Sequence, residues 1–347
     1  GYPVSGLTVL EEVVRPLLGS LYKLDIPARP VVKARLTRRL VSSLKYLEFI
    51  RVRLTRHLGQ LNATPLERGA GVLSSYARAD GLLTIPRDSE GIVEGTLVDV
   101  RLLQPLAQVE TALSVIGSHD PLLDEIADLL YYSGEPVVTL SSSHVGSMGG
   151  ILAVRRREAQ IAGIHLLAEN GEYNVPFIRR YFSRNEVILL EGVRRSQGLL
   201  VQAGNPLGIR DLADVARRGL RYVNRQKGAG TRLLLDHQLA LAGIRPEEIS
   251  GYTREEYTHT GVAAQIAAGT ADAGLGILAA ARIAGLDFLP LAEENYDFLI
   301  SASAWESQAV QRFIAILRSR DFSQRLERMG GYRLVQPARI ILDKDME

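Results

Sequence analysis

The chain has no cysteine. Thiolate nucleophiles, disulfides and cysteine-ligated zinc are therefore excluded, and a cytoplasmic setting is expected. An excess of one charge is missing too: 41 basic residues against 39 acidic ones leave a formal net charge of +2. No broad field awaits a polyanion, so nucleic acid is not an expected partner. The short clusters Arg35–Arg39 and Arg155–Arg157 read as solvated faces. No apolar run approaches the roughly 20 residues of a membrane span, and no signal peptide opens the chain, so no membrane partner is expected. No Met opens it either. Gly1-Tyr2-Pro3-Val4-Ser5-Gly6 reads as the middle of a protein, and a fragment lacking its N-terminal part is expected.

What is present suits real cores. Of 347 residues, 46% are hydrophobic and 23% charged, a globular composition long enough for two or three domains. Residues 7–18 carry apolar side chains at helical spacing, with Pro16 as a kink or an end. Residues 31–103 break into short runs such as VVKARL, EFIRVRL, GVLSSYARADGLLTI and GTLVDVRLL, punctuated by Gly, Pro, Asn and Asp. These suit a small β-barrel or sandwich, with Asp80-Gly81 as a tight turn. Gln104-Pro105 marks a boundary. Beyond it strand and helix alternate, which implies an α/β architecture with mainly parallel strands and a ligand site at their carboxyl ends.

Four polar turns are expected after those strands. They are Gly117-Ser118-His119-Asp120, Ser141–Ser147, Asn224–Arg232 and Gly274-Leu275-Gly276. Each offers small or hydroxyl residues where a helix begins and where backbone N–H groups and the helix dipole favour an anion. Together they nominate Ser118, His119, Ser142, Ser147, Arg225, Ala229, Gly230, Thr231, Arg232 and Gly276 as ligand-binding residues for a small oxyanion. Taken singly, Ser118, Ser147 and Thr231 are equally good N-caps. The third turn is the most specific, yet its lysine spacing is not that of a P-loop. His119, His144, His165 and His259 fall in or near the turns. With no HExxH and no paired spacing, structural hydrogen bonding is expected of them, and no metal site. Asp120 could cap a helix or orient a donor. Ser118-His119-Asp120 are adjacent in sequence and cannot form a nucleophilic triad among themselves, so no catalytic residue is nominated.

Residues 1–18 resemble the closing piece of the substrate domain in the molybdopterin molybdotransferase (MoeA/gephyrin) family, through Gly1-Tyr2-Pro3-Val4-Ser5. Residues 31–103 resemble that family's C-terminal β-barrel, through Glu48-Phe49-Ile50-Arg51-Val52 and Ala79-Asp80-Gly81-Leu82. Residues 109–335 resemble the PBP-like domain fused to that enzyme in prokaryotes. The stretches that match are Gly117–Asp120, Gly163-Ile164-His165, Glu169–Asn174, Arg195–Gly198, Asn224–Asp236 and Thr270–Gly276. The resemblance implies a multidomain chain: a remnant helix (1–26), a barrel (27–104) and a two-lobed, type II periplasmic-binding-protein-like α/β domain (105–347). It implies molybdate or tungstate as the anion. It also implies a parent molybdotransferase acting in molybdenum cofactor biosynthesis with Mg and adenylylated molybdopterin. The domains that hold those cofactors would lie upstream of Gly1, so this chain alone should be inactive and hold no cofactor. Pairing of family members across subunits implies a homodimer. In the two-lobed fold, the crossings between lobes are expected near Gln197–Gly204 and Leu286–Leu291, with a helix around Ser307–Leu317 returning to the first lobe.

Overall fold

The computed structural model describes residues 3–57, 59–66, 76, 79–168 and 171–342. The Gly1-Tyr2 turn, the stretch 71–75 of one expected strand and Glu169-Asn170 lie outside the described residues. The chain forms two compact units, Gly1–Ala112 and Leu113–Glu347.

The smaller unit begins with α1 (Pro3–Val9), a π-turn over Leu10–Val14 and α2 (Arg15–Tyr22). Residues 3–22 form one uninterrupted helical run, and Pro16 follows directly on its π-turn, so it breaks the regular α-helical ladder without ending the helix. Strands β1 (Val31–Leu36), β2 (Leu40–Val41), β3 (Glu48–His57), β4 (Gln60–Pro65), β5 (Gly81–Ile85), β6 (Gly91–Ile92) and β7 (Leu97–Leu102) follow. Five of them close a barrel in the order β1-β4-β3-β5-β7. Alternation along β7, with Val98, Val100 and Leu102 inward, fills it. Asp80-Gly81 is not a hairpin turn. Gly81 opens β5 opposite Leu102, and the Asp80 carboxylate accepts the Leu54 N–H at 2.8 Å. Helix α3 (Leu106–Thr111) belongs to this unit because Val109 and Leu106 join the barrel core, so the division falls after Ala112 rather than at Gln104-Pro105.

The larger unit alternates strand and helix: β8 (Leu113–Gly117), α4 (Leu122–Tyr131), β9 (Leu140–His144), α5 (Gly146–Arg155), β10 (Ile161–Ile164), α6 (Val175–Tyr181) and β11 (Val187–Val201). It continues through α7 (Leu212–Arg217), β12 (Tyr222–Arg225), α8 (Gly230–Leu241), β13 (Glu255–Glu256), α9 (His259–Ala267), β14 (Ala273–Ile277), α10 (Leu278–Ile283) and β15 (Asp287–Ser301). The chain then forms α11 (Gln308–Leu317), α12 (Arg320–Met329), β16 (Tyr332–Arg333) and β17 (Ile340–Leu342). One sheet in the order β13-β12-β14-β11-β15-β10-β8-β9 runs through both lobes. Helix α11, capped by the Ser307 hydroxyl, packs Val310 and Phe313 into the core around α4, which is the expected return to the first lobe.

The crossings are not loops. Strands β11 and β15 pair along their length, from Val187↔Ser301 to Val201↔Asp287. Leu189 and Leu190 bury in the first lobe, while Leu199, Leu200 and Val201 bury in the second. The passage lies between, at Arg194–Gln197 opposite Ala292–Asn295, so both crossings are displaced from the expected Gln197–Gly204 and Leu286–Leu291. Glycines draw sequence reading toward loops, whereas polar residues inside the strands mark the true passage. Among the described residues, no helix is long and apolar enough to cross a membrane.

Candidate functional site

Strands β8, β10 and β9 run parallel, as do β12, β13 and β14, so their carboxyl ends gather on facing edges of the lobes. Ser118, His119 and Asp120 leave β8 there, all buried. Gly117 approaches Gly163 so closely that a Cβ would stand 2.5 Å from the Gly163 carbonyl oxygen, which brings the ends of β8 and β10 together. His165 follows β10. Its ring is bonded on both sides: Nε2 lies 2.7 Å from Ser118 Oγ, and Nδ1 lies 2.9 Å from Glu294 Oε2. Its backbone N–H donates to Ser147 Oγ at 3.1 Å.

Arg195 occupies the crossing of β11 and is buried. Its Nε donates to Glu294 Oε1 at 2.5 Å, and its Nη1 donates to Asp120 Oδ2. Asp120 also accepts from the Leu122 N–H at 2.8 Å and the Tyr332 hydroxyl at 2.6 Å, so its charge is spoken for. It thus caps α4 and orients Arg195, both roles open to it from sequence. Gln197, two residues on and on the same face of β11, donates Nε2 to Glu294 Oε1 at 2.6 Å and to Thr231 Oγ1 at 2.9 Å.

From the second lobe comes Arg225, the last residue of β12. Its Nη2 and Nε donate to the Tyr257 and Glu256 carbonyls at 3.0 and 3.3 Å. Helix α8 starts at Gly230 with no side-chain cap, and a Cβ on Gly230 would collide with the His165 ring and carbonyl. Gly146, at the uncapped start of α5, has φ +78°, and a Cβ there would stand 3.3 Å from Gly228 O. The lobes therefore meet at two glycine contacts, each beside a helix N-terminus.

Several buried polar atoms in this cluster have no hydrogen-bond partner: Arg195 Nη2, Arg225 Nη1, His119 Nδ1, Gln197 Oε1, and both ring nitrogens of His259. His119 packs edge-on against His144 at 4.6 Å between centroids and lies 6.3 Å from His259. Burial, then His144, Arg225 and Arg195, hold the His119 imidazole down at about 2. Burial, then Arg225 and Arg195, hold His259 well below the usual imidazole range. Burial and the nearby Arg195 pull Arg225 down to about 9, still a cation at neutral pH. Glu294 is pushed up by its burial, yet Arg195 and His165 hold it at about 2, an anion. The arrangement gathers buried, unpartnered guanidinium and imidazole nitrogens around two helix N-termini, which suits an anion.

Of the nominated residues, Ser118, His119, Arg225, Gly230 and Thr231 come together here. Ser147 lies beneath, its Oγ engaged by the His165 N–H, and Ala229 is a buried backbone residue at the start of α8. Ser142 lies in β9, because Leu140–His144 pairs with β8 as strand rather than forming a turn. Arg232 stacks on Tyr252 at 3.9 Å and donates to the Arg225 carbonyl at 3.2 Å, which makes it a brace. Gly276 is not at a helix start. It pairs with Gly198 inside β14, where a Cβ would stand 2.9 Å from Leu200 Cδ1 and 3.7 Å from His259 Nδ1. Its smallness makes room for packing. Arg195, Gln197, Glu294 and His259 were not nominated. The available signal for the first three was a run of polar residues, Arg194–Gln197 in one strand and Glu293, Glu294 and Asn295 in its partner, inside otherwise apolar stretches. Nor do the histidines share the structural role expected of them: His165 is satisfied, whereas His259 is buried without a partner. Among the described residues, no group of three or more His, Asp or Glu side chains could hold a metal ion.

Residues 131–318 match the family described as the PBP superfamily domain, and residues 33–103 match the MoeA C-terminal region (domain IV). A Bacillus subtilis protein, uncharacterized by name, is 35% identical over 199 residues, 57% of this chain and 64% of that protein. The chain thus spans less than two thirds of that relative's length. A putative molybdopterin biosynthesis protein of Methanocaldococcus jannaschii is 32% identical over 104 residues, 30% of this chain and 23% of that protein. Among solved structures, a putative phosphate ABC transporter substrate-binding protein with bound phosphate from Clostridium perfringens matches with a TM-score of 0.49. It has 13% identity and covers 65% of this chain and 100% of its own.

Proposed function

The chain belongs to the PBP superfamily, and on that premise we propose that its larger unit binds a small oxyanion, molybdate or tungstate first, for molybdenum cofactor biosynthesis. The observation that carries this reading is the set of buried, unpartnered donors: Arg225 Nη1, Arg195 Nη2 and the His259 ring, beside the uncapped starts of α5 and α8. A buried guanidinium N–H without a partner costs on the order of 1–3 kcal/mol or more, a cost that a bound oxyanion would recover. The link to molybdenum rests on residues 33–103 and on the name of the archaeal relative. In this reading the parent protein is a molybdopterin molybdotransferase that works with Mg and adenylylated molybdopterin as a cytoplasmic homodimer. The larger unit delivers or senses its anion. Calorimetric titration with molybdate, tungstate, sulfate and phosphate tests it. Saturable binding of one or more is expected, and no heat with any of the four overturns it.

A second ligand class is favoured by one specific atom. Gln197 Oε1 is a buried acceptor without a partner. Its amide cannot be turned over, because that would press Oε1 against the Glu294 carboxylate that now receives Nε2. A ligand carrying its own donor, such as a small hydroxy acid, would satisfy it. Tighter binding of hydroxy acids than of molybdate would replace the first reading with this one.

A further inference from the structure

We propose that the anion binds together with one proton, taken up by His165, and that this proton turns the Ser118 hydroxyl from His165 toward the ligand. The inference rests on the oxyanion reading above and adds a mechanism to it.

The geometry fixes the hydrogen-bond directions. The Glu294 carboxylate accepts from Arg195 Nε and Gln197 Nε2, and as an anion it can only accept. His165 Nδ1, 2.9 Å away, must therefore carry the ring proton of the neutral imidazole. Nε2 is then a bare lone pair, and at 2.7 Å the Ser118 hydroxyl must donate to it. Ser118 has one proton, so in this state it offers an anion only lone pairs, which repel. Its place at the carboxyl end of β8 is wasted.

One proton from solvent reverses this without moving any heavy atom. Added to Nε2, it donates to Ser118 Oγ. The hydroxyl rotates, and its own proton points to the ligand. The Nδ1–H bond to Glu294 is kept, now as an ion pair. No covalent bond other than N–H forms, and the proton comes from the buffer.

Charge explains why the proton arrives with the anion and not before it. The buried ionised side chains of the cluster are Arg195 and Arg225 against Asp120 and Glu294, which cancel. Around His165 stand Glu294, which favours the imidazolium, and Arg195 and Arg225, which oppose it. His259 and His119 are neutral neighbours, and the start of α8 at Gly230 opposes a positive ring as well. Burial outweighs Glu294 and holds free His165 neutral. A dianion joining a cluster with no net charge reverses that balance, since a second buried cation then has a partner. His119 and His259 have no carboxylate bonded to them, and His165 does.

The test uses tungstate or sulfate, both dianions at neutral pH that bring no proton of their own. Calorimetry on the whole chain in two buffers of different ionisation enthalpy gives the protons taken up per anion. About one is expected, with affinity falling about tenfold per pH unit above neutrality. Histidine ¹⁵N spectra of the same complex should show one imidazole changing from neutral to doubly protonated. Ser118→Ala leaves the ring in place and should shift that signal, while His259→Asn should bind more weakly yet still take up the proton. Binding without proton uptake overturns this inference and leaves the oxyanion reading standing. A converting ring indifferent to Ser118→Ala overturns the assignment to His165. No binding of tungstate, sulfate, molybdate or phosphate removes the reading on which it rests.

Discussion

Arg195 faces Glu294 directly across the β11–β15 ladder, and its Nε reaches the Glu294 carboxylate at 2.5 Å at the point where both strands pass from one lobe to the other. The same guanidinium holds Asp120 through Nη1 and leaves Nη2 unpartnered. Arg195 is thus the electrostatic keystone of the cluster and still holds one donor without a partner. Arg195→Met should leave two buried carboxylates uncompensated. Breaking such pairs costs about 3–5 kcal/mol, so the melting temperature should fall by roughly 10 °C, read by calorimetry.

Arg225 brings a cation whose Nη1 has no protein partner. Arg225→Ala should remove a charge-assisted bond to the anion and weaken binding roughly ten- to hundredfold; it should also lower the melting temperature, because the Glu256 and Tyr257 carbonyls lose their donor. Thr231→Val should weaken it less. The Thr231 Oγ1 accepts from Gln197 and so has its own proton free for a ligand. Titration calorimetry with the tightest-binding anion reads both.

Gly230 is the point where the second lobe touches His165. Gly230→Ala leaves helix propensity intact or better, since alanine is the stronger helix former. The added methyl, however, must push the lobes apart. The variant should fold but melt lower, lose at least tenfold in anion affinity, and show a larger radius of gyration by small-angle scattering. Unchanged affinity would mean that this contact does not control closure.

The anion-free protein should lose stability on mild acidification. His119, His165 and His259 all have folded pKa values below the ordinary 6.5, burial being the main cause in each. Below about pH 6.5 the unfolded chain takes protons that the folded chain refuses, so stability is full above that pH and is lost as the pH falls. For His119, held at about 2, the loss at about pH 5 is about 2 kcal/mol. Asp297, pushed up to about 6 by burial, works in the opposite sense and offsets part of it. Thermal melts from about pH 7 to about pH 5 should show a falling midpoint. A rising midpoint would contradict the neutral, buried histidines.

The alternation of strand and helix was legible because apolar periodicity and Gly punctuation are local. PLLDEIADLLYYS and IAGIHLL became α4 and β10 with little change. The same local signal placed Gly230 and Thr231 at a helix start, where α8 begins. Ser142 and Gly276 misled because small residues look alike in a turn and in a tightly packed strand. The distinction is made by partners far away in sequence: β8 for Ser142, Leu200 and His259 for Gly276. The chain from Ser118 through His165 to Glu294 was invisible because it spans three strands. Its Ser, His and acid are not the adjacent Ser118-His119-Asp120 of the sequence.

The long pairing of β11 with β15 gives the lobes a ribbon for a hinge. Two hydrogen-bonded strands bend much less readily than two loops, and they twist together or not at all. Opening and closing should therefore turn about an axis through Arg195 and Glu294, like a door about its pin. Side chains on that axis stay put while Arg225 and Gly230 swing in from one side and Ser118 from the other. The fixed part of the site is then already in place when the cleft is open, and a ligand can be met there before the lobes come together.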